Sequence, residues 1–377
     1  LEPFKNVFSP DLVRCLAAHL KRCMRGFDAA AFAAAIEPRL AGLELKARAQ
    51  LIADQLHDAL PADPARRAEI LLAMLHPDRL DHADQPSDED GICGWAIMPL
   101  TMLVGHHGID DFDRSMSLMR ELTTRFSAEF GIRYLLLADQ PRALAIMAGW
   151  IGDPNRHVRR LVSEGTRPRL PWAMQLPALI TDPGPVIPLL ERLRDDPEPY
   201  VRRSVANHLN DISKDHPAIV VELAARWMIG AEGERKALLR HACRTLIKQG
   251  QADALAIFGS RRPEIEMEPP RLSAREVRMG ETIDLSITLR SLSTQSQRLT
   301  IDYVLHLLKA GGSRRPKVFK GGNIVLAPGE ATTFSRRHAF KEVTTRRHYP
   351  GAHGVSFRIN GQDTAQADFS LLLDGHS

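Results

Sequence analysis

Between Ser163 and Trp172 the chain reads Ser-Glu-Gly-Thr-Arg-Pro-Arg-Leu-Pro-Trp, which puts three chemistries into ten residues. Glu164 is an acid able to steady a positive centre or orient a water. Arg167 and Arg169, interleaved with prolines that keep the backbone extended, suit contacts to phosphate. Trp172 offers an indole face to a cation or a sugar ring. Ordinary structural turns seldom need all three. Trp172 follows Pro171 and is expected to open a helix; its competing role is a core anchor beneath the turn.

The residues just upstream supply the geometry. The helix opened by Asp153 buries Val158, Leu161 and Val162, so Arg160 and Glu164, four apart, emerge together on its other side. The motif Asp153-Pro154-x-x-x-Val158-Arg159-Arg160 returns after 43 residues as Asp196-Pro197-x-x-x-Val201-Arg202-Arg203. In each copy Asp is expected to cap a helix, Pro to occupy its first turn, and the Arg pair to emerge on the polar face. The same period carries Glu164 to Asn207, within a row Arg203, Asn207 and Asp211 expected to be exposed. Thirty-five residues before Glu164 lies Glu129, read as an i,i+4 pair with Arg133. Three carboxylates, Glu129, Glu164 and Asp211, thus fall on comparable rows, each beside an arginine. Taken singly, such pairs are solvated helix faces worth roughly 0.3–0.5 kcal/mol. Their common register, followed by the Arg/Pro/Trp turn, points instead to one groove. Arg159, Arg160, Arg167, Arg169 and Arg203, with Asn207, are the candidates for contact with phosphate there.

These side chains need a scaffold of stacked helices. Ala- and Leu-rich runs at 29–36, 47–60 and 65–75 are strong helix formers, and proline-bearing breaks punctuate them at hairpin intervals. A 43-residue repeat lies within the roughly 40–47-residue period of HEAT and armadillo repeats, so an all-α HEAT-like solenoid is expected over residues 1–257. A proline-bearing linker follows at 258–270. From 271 to 377 the period changes to two: Ile283, Leu285, Ile287 and Leu289 alternate with polar residues, as do Ile301, Tyr303, Leu305 and Leu307. Ala327-Pro328-Gly329 and Asn360-Gly361 mark turns between strands. This part reads as an all-β immunoglobulin-like sandwich.

Charge separates the two parts. From residue 258 onward there are 18 Lys and Arg against 12 Asp and Glu, whereas the preceding residues hold 32 against 34. The basic sandwich is expected to touch something anionic, with Arg314, Arg315, Lys317 and Lys320 or Arg336, Arg337, Arg346 and Arg347 as the candidate contacts; a solubilising excess of charge is the competing explanation. Four cysteines without a CxxC spacing, and no apolar leader core, fit reduced thiols in the cytoplasm. No stretch reaches the roughly 18 apolar residues of a membrane span. Phosphate-loop, GxSxG and HExxH motifs are absent. No metal or other cofactor is expected, and the acidic run Asp78, Asp81, His82, Asp84, Asp88, Glu89 and Asp90 is read as a solvated or mobile loop.

The segments 127–133, 158–172 and 202–217 together resemble the AlkC branch of the DNA alkylation repair family, relatives of the AlkD glycosylases. Some members of that branch also carry an immunoglobulin-like module. The likeness implies a monomeric DNA glycosylase, a hydrolase of N-glycosyl bonds in base excision repair. It would remove cationic alkylated bases such as 3-methyladenine and 3-methylcytosine from duplex DNA. Glu129, Glu164, Trp172 and Asp211 would line its cleft. One departure is Gly131, where alanine is expected; it should loosen a helix without touching the chemistry. Two readings compete: a non-enzymatic HEAT-repeat scaffold whose Arg/Glu rows bind protein, and a damage-binding protein of the same fold without catalysis.

Overall fold

A computed structural model describes residues 3–77, 86–259, 263–341 and 348–373. It packs as two compact units. One comprises residues 1–216 with 232–242, the other 217–231 with 243–377.

The first unit is built from helices, and the expected runs fall in Ala29–Leu40, Leu45–Ala59 and Pro64–Met74. Among the described residues no helix is long and apolar enough to cross a membrane. The repeat is real in three dimensions, but its Asp-Pro pair sits in the turn before each helix. Asn155 caps the helix Arg156–Glu164, and Glu198 precedes the helix Pro199–Ile212. Asp153 and Asp196 act two residues earlier, accepting the N–H of Asn155 (2.8 Å) and Glu198 (2.9 Å). Val158 and Val201 are buried as expected.

The first arginine of each pair does not emerge. Arg159 donates to the carbonyls of Asp153 (2.9 Å) and Pro154 (3.1 Å), and Arg202 folds back in the same way onto Asp196 and Pro197. The same guanidinium groups reach the following repeat: Arg159 pairs with Asp196 (2.7 Å) and Arg202 with Glu234 (2.8 Å), while Arg120 pairs with Asp153. Asp153 and Asp196 are both buried. This ladder is the physical reason for the recurrent Asp-Pro-x-x-x-Val-Arg: each copy supplies an acid to the preceding helix and a base to the next. Such charge-assisted pairs, each with at least one buried partner, fix register.

In the second unit the helix Pro217–Met228 packs against the helix Ala252–Ile257, and the strands form two sheets. In the first sheet β4 (Thr282–Ser291) pairs antiparallel with β1 (Ile265–Met267), β2 (Arg271–Leu272) and β7 (Ala331–Ala339). The second runs β3 (Glu276–Arg278), β10 (Ala367–Leu372), β8 (Gly351–Ile359), β5 (Gln297–Leu308), β6 (Arg314–Leu326), with β9 (Gln362–Asp363) on β8; only β3–β10 is parallel. The expected alternation places Ile283, Leu285, Ile287 and Leu289 in a core with Ile301, Tyr303, Leu305 and Phe357. Asn360 (φ 44°) and Gly361 (φ 87°) turn the chain from β8 into β9. The residues read as a linker already carry β1. Arg358 donates to the Lys248 carbonyl (2.9 Å), and a side chain on Gly361 would strike the Gly250 backbone, so the short helix Arg244–Gln249 is fastened to the sandwich.

Candidate active site

The helix Arg156–Glu164 ends where Gly165 closes its last turn onto Leu161 (2.8 Å), and Pro168 then bars continuation. Beneath the turn that follows lies Arg133, fully buried. Its guanidinium donates to the carbonyls of Gly165 (3.0 Å), Arg167 (2.8 Å) and Met174. Burial and the nearby Arg167 lower this guanidinium to about 10, which leaves it protonated at neutral pH. Arg133 therefore braces the 165–174 turn and is not the partner of Glu129. The reason is local: Glu129 precedes the helix Ile132–Ala138, so the i,i+4 rule does not apply to it.

Gly131 caps that helix instead of lying inside it. A Cβ there would meet the Thr101 carbonyl at 2.1 Å, so glycine lets the helix Ile97–His107 approach backbone to backbone. It tightens packing instead of loosening a helix.

Trp172 does not begin a helix either. Leu170 accepts the N–H of Ala173 (3.3 Å), with Pro171 second and Trp172 third at φ 65°, the pattern of a type II turn that ordinarily takes glycine there. A bulky residue in this conformation costs about 1–3 kcal/mol. The side chain gains little burial in exchange, since Trp172 is 64% exposed.

The carboxylates join in one chain of alternating charge. Glu129 accepts from Arg160 (2.8 Å) and from the Ser127 hydroxyl (2.6 Å). Arg160 lies 3.5 Å from Glu164 and rests over the Tyr200 ring at 4.7 Å. Glu164, buried at 5% exposure, accepts from Arg167 (2.7 Å) and from the Ser204 hydroxyl (2.6 Å). Arg167 continues to Asp211 (2.8 Å), which also accepts from Lys214 (2.8 Å). Burial opposes ionisation of Glu164, but Arg160, Arg167 and the Ser204 hydroxyl outweigh it and hold the carboxyl below its ordinary range. Under this floor His208 gives one ring nitrogen to the Ser163 carbonyl (2.9 Å), and burial pushes its imidazole down to about 4, so it is neutral.

Above the floor opens a cavity of about 980 Å³. Glu129, Glu164, Arg160, Arg167 and Trp172 line it, joined by Tyr200 and, on the wall beside Trp172, by Phe4 and Trp95. Asp211 stands behind Arg167 at 1% exposure; the row Arg203, Asn207, Asp211 is not uniformly exposed. Of these, Tyr200, Ser204, Phe4 and Trp95 escaped the sequence reading. Tyr200 had a signal: it lies 43 residues after His157, the period of the motif, and the two rings meet at 5.5 Å. Ser204, a buried hydroxyl in a helix, had none.

The cations read as phosphate contacts divide. Arg159 belongs to the repeat ladder, and Arg160 and Arg167 to the cavity floor. Arg169 is paired with Asp215 (2.7 Å), Arg203 is exposed, and Asn207 meets His241 (2.9 Å). On β6 the two-residue alternation splits the expected patch, with Arg314 and Lys320 on one face and Arg315 and Lys317 on the other. Arg314 is bound to Asp368 (2.6 Å), whereas Arg315, Lys317 and Lys320 are exposed. Arg336 covers the Phe334 ring at 4.5 Å and Arg337 pairs with Asp284 (2.7 Å). Arg346 and Arg347 lie outside the described residues, as do Asp78, Asp81, His82 and Asp84. The remaining acidic run is held: His19 and Arg22 bond the backbone carbonyls of Asp88, Glu89 and Asp90.

A helical-repeat unit with an acid-and-aromatic cavity, in a chain that ends in an immunoglobulin-like sandwich, defines the class. The family profile described as DNA alkylation repair enzyme matches residues 125–246, and that of the C-terminal Ig-like domain of the protein YhaZ matches 266–373. The protein named "Uncharacterized protein YhaZ" from Bacillus subtilis is 33% identical over 371 residues, covering 97% of this chain and 99% of its own. The solved structure of the Pseudomonas fluorescens alkylpurine DNA glycosylase AlkC, bound to DNA containing an abasic-site analogue, is 36% identical. The two superpose with a TM-score of 0.84 over 98% of this chain and 100% of that one. The chain belongs to the AlkC branch of the DNA alkylation repair family.

Proposed function

We propose that this protein is a DNA glycosylase that hydrolyses the N-glycosidic bond of cationic alkylated bases, 3-methyladenine and 3-methylcytosine, in duplex DNA. The observation that carries the reading is the convergence of Glu129, Glu164 and Trp172 on one cavity. An N3-alkylated base already bears positive charge and leaves without a strong general acid. What remains is to stabilise the oxocarbenium-like sugar and to position a water. Carboxylates meet both needs, and their ion pairs hold them in place in advance. Groups so preorganised are worth about 3–4 kcal/mol in a dry site. The Trp172 face supplies a further attraction to the cationic sugar, roughly 1–2 kcal/mol when desolvated.

Asp211 acts one residue back. Its carboxylate holds Arg167, and Arg167 holds Glu164. We assign it as a positioning residue in this arrangement. The open cavity suits a nucleotide that is not enclosed in a deep pocket, and the exposed cations of β6 supply phosphate contacts. Incubation of the full chain with methylated duplex DNA, followed by chromatography of the released bases, tests the proposal. Free 3-methyladenine is the expected product; a protein that binds the duplex and releases no base is a scaffold or damage binder instead.

A further inference from the structure

The charges around the cavity do not by themselves select a cation. Glu129 and Glu164 are committed to Arg160 and Arg167, and Glu44 is paired with Lys5 at 2.7 Å. Five cations line the cavity against those three carboxylates. Two of the five are also bound to acids outside the lining, Arg125 to Glu121 (3.3 Å) and Arg167 to Asp211 (2.8 Å). Charges so matched exert no net pull on a positively charged base.

What remains is aromatic. Trp172 is 64% exposed and Phe4 is 52% exposed, with their ring centroids 6.2 Å apart. Trp95 meets the edge of Phe4 at 5.0 Å, nearly perpendicular, and is backed by Phe126 at 4.8 Å. Two large rings left open beside one cavity are apolar surface for which the fold itself has no use. Nor is their segment loose. The buried Arg48 donates to the carbonyls of Lys5 (3.1 Å), Phe8 (3.2 Å) and Leu43 (3.0 Å), which fixes the short 3-10 turn Phe4–Val7. Trp172 is fixed from the other side by its left-handed turn. Rigid, open ring faces around a cavity bind a planar cation by stacking and by attraction to the π-system.

We infer that Phe4 and Trp95 are specificity-determining residues: together with Trp172 they form a three-ring cage that selects planar, positively charged N-alkylated nucleobases over neutral ones. The identity of the occupant rests on the glycosylase reading, but the prediction concerns binding, not bond cleavage. The carboxylates serve the sugar, Trp172 borders both the sugar and the base, and Phe4 and Trp95 recognise the base alone.

The test is equilibrium binding to the full chain by calorimetry, with 7-methylguanosine at pH 6 as the cation and guanosine as its neutral counterpart. The wild type prefers the cation at least tenfold, which corresponds to about 1.4 kcal/mol. Trp95→Leu and, separately, Phe4→Leu bring the preference to within about threefold, whereas Trp95→Phe keeps most of it by keeping a ring. Phe4→Leu, at an exposed site, stands in should Trp95→Leu fail to fold. A wild-type preference below threefold, or no binding of either nucleoside, overturns the inference. So does a preference lost in Glu164→Gln and kept in both leucine variants. Ring-dependent preference without base release would refute the glycosylase reading and leave the cage intact. Base release with no ring-dependent preference would refute the cage alone.

Discussion

The two copies of the Asp-Pro-x-x-x-Val-Arg-Arg motif share a backbone plan and differ in what surrounds it. Arg160, in the first copy, lies between Glu129 and Glu164 over the Tyr200 ring, while its equivalent Arg203 is exposed. Glu164 is buried in the floor; its equivalent Asn207 is half-buried and bonded to His241. Leu161 is an ordinary core residue, but at the matching place the second copy has Ser204, whose buried hydroxyl serves Glu164. The repeat thus delivers positions and the neighbouring copy decides their electrostatics. The first copy carries the acid and the second supports it.

Substitutions that separate the copies test this division. Asp211→Ala has the largest expected effect: 3-methyladenine release falls at least a hundredfold while duplex affinity, measured by fluorescence anisotropy, is retained. Full activity in that variant would remove Asp211 from the mechanism. Next come the two equivalent arginines. Arg160→Ala leaves Glu129 and Glu164 without their shared cation and slows single-turnover release about thirtyfold or more, whereas Arg203→Ala changes it less than threefold; equal effects would erase the contrast between the copies.

Ser204→Ala is milder, about tenfold, in keeping with a charge-assisted hydrogen bond of roughly 1.5 kcal/mol. It also carries a pH signature. Glu164 is held below the ordinary glutamate value of about 4.3. Its ionised form therefore persists as pH falls through that value and is lost only below it. Removing the hydroxyl raises this carboxyl, so the acid limb of the rate profile moves to higher pH; a limb that stays in place would exclude Ser204 from tuning Glu164. The smallest change expected is on β6. The double variant Arg315→Ala/Lys317→Ala leaves the chemistry intact and reduces the steepness of the salt dependence of duplex binding by about two. An unchanged slope would reduce that face of the sandwich to a bystander. Point variants suit this purpose better than deletion of 263–377, which would cut through a compact unit.

The sandwich was the more legible half of the fold. A period of two with one buried face is written locally in Ile283 through Leu289, and the Asn-Gly turn needs only its own residues. In the helical unit the same locality misled. Spacing paired Glu129 with Arg133, but the helix starts after Glu129, and the partner, Arg160, arrives from 31 residues away. The Asp-Pro motif looked like a cap because both residues favour helix starts, yet its main business is the ladder between repeats. That choice depends on which helix stacks beside which. Trp172 resisted for another reason: no sequence rule places an indole where a turn asks for glycine. Glu164, Glu129 and Trp172 could be singled out because their types were unusual in company. Phe4 and Trp95, distant in sequence and ordinary as hydrophobic residues, could not.

The central claim, that ionised carboxylates fixed under this cavity drive base removal, is tested most directly by the single-turnover rate of 3-methyladenine release from duplex DNA by the wild type and by Glu164→Gln. The variant keeps the shape of the side chain and removes its charge. Release by the wild type with a rate at least a hundredfold lower in the variant is the predicted result. Equal rates in the two proteins, or no release by the wild type, would contradict it.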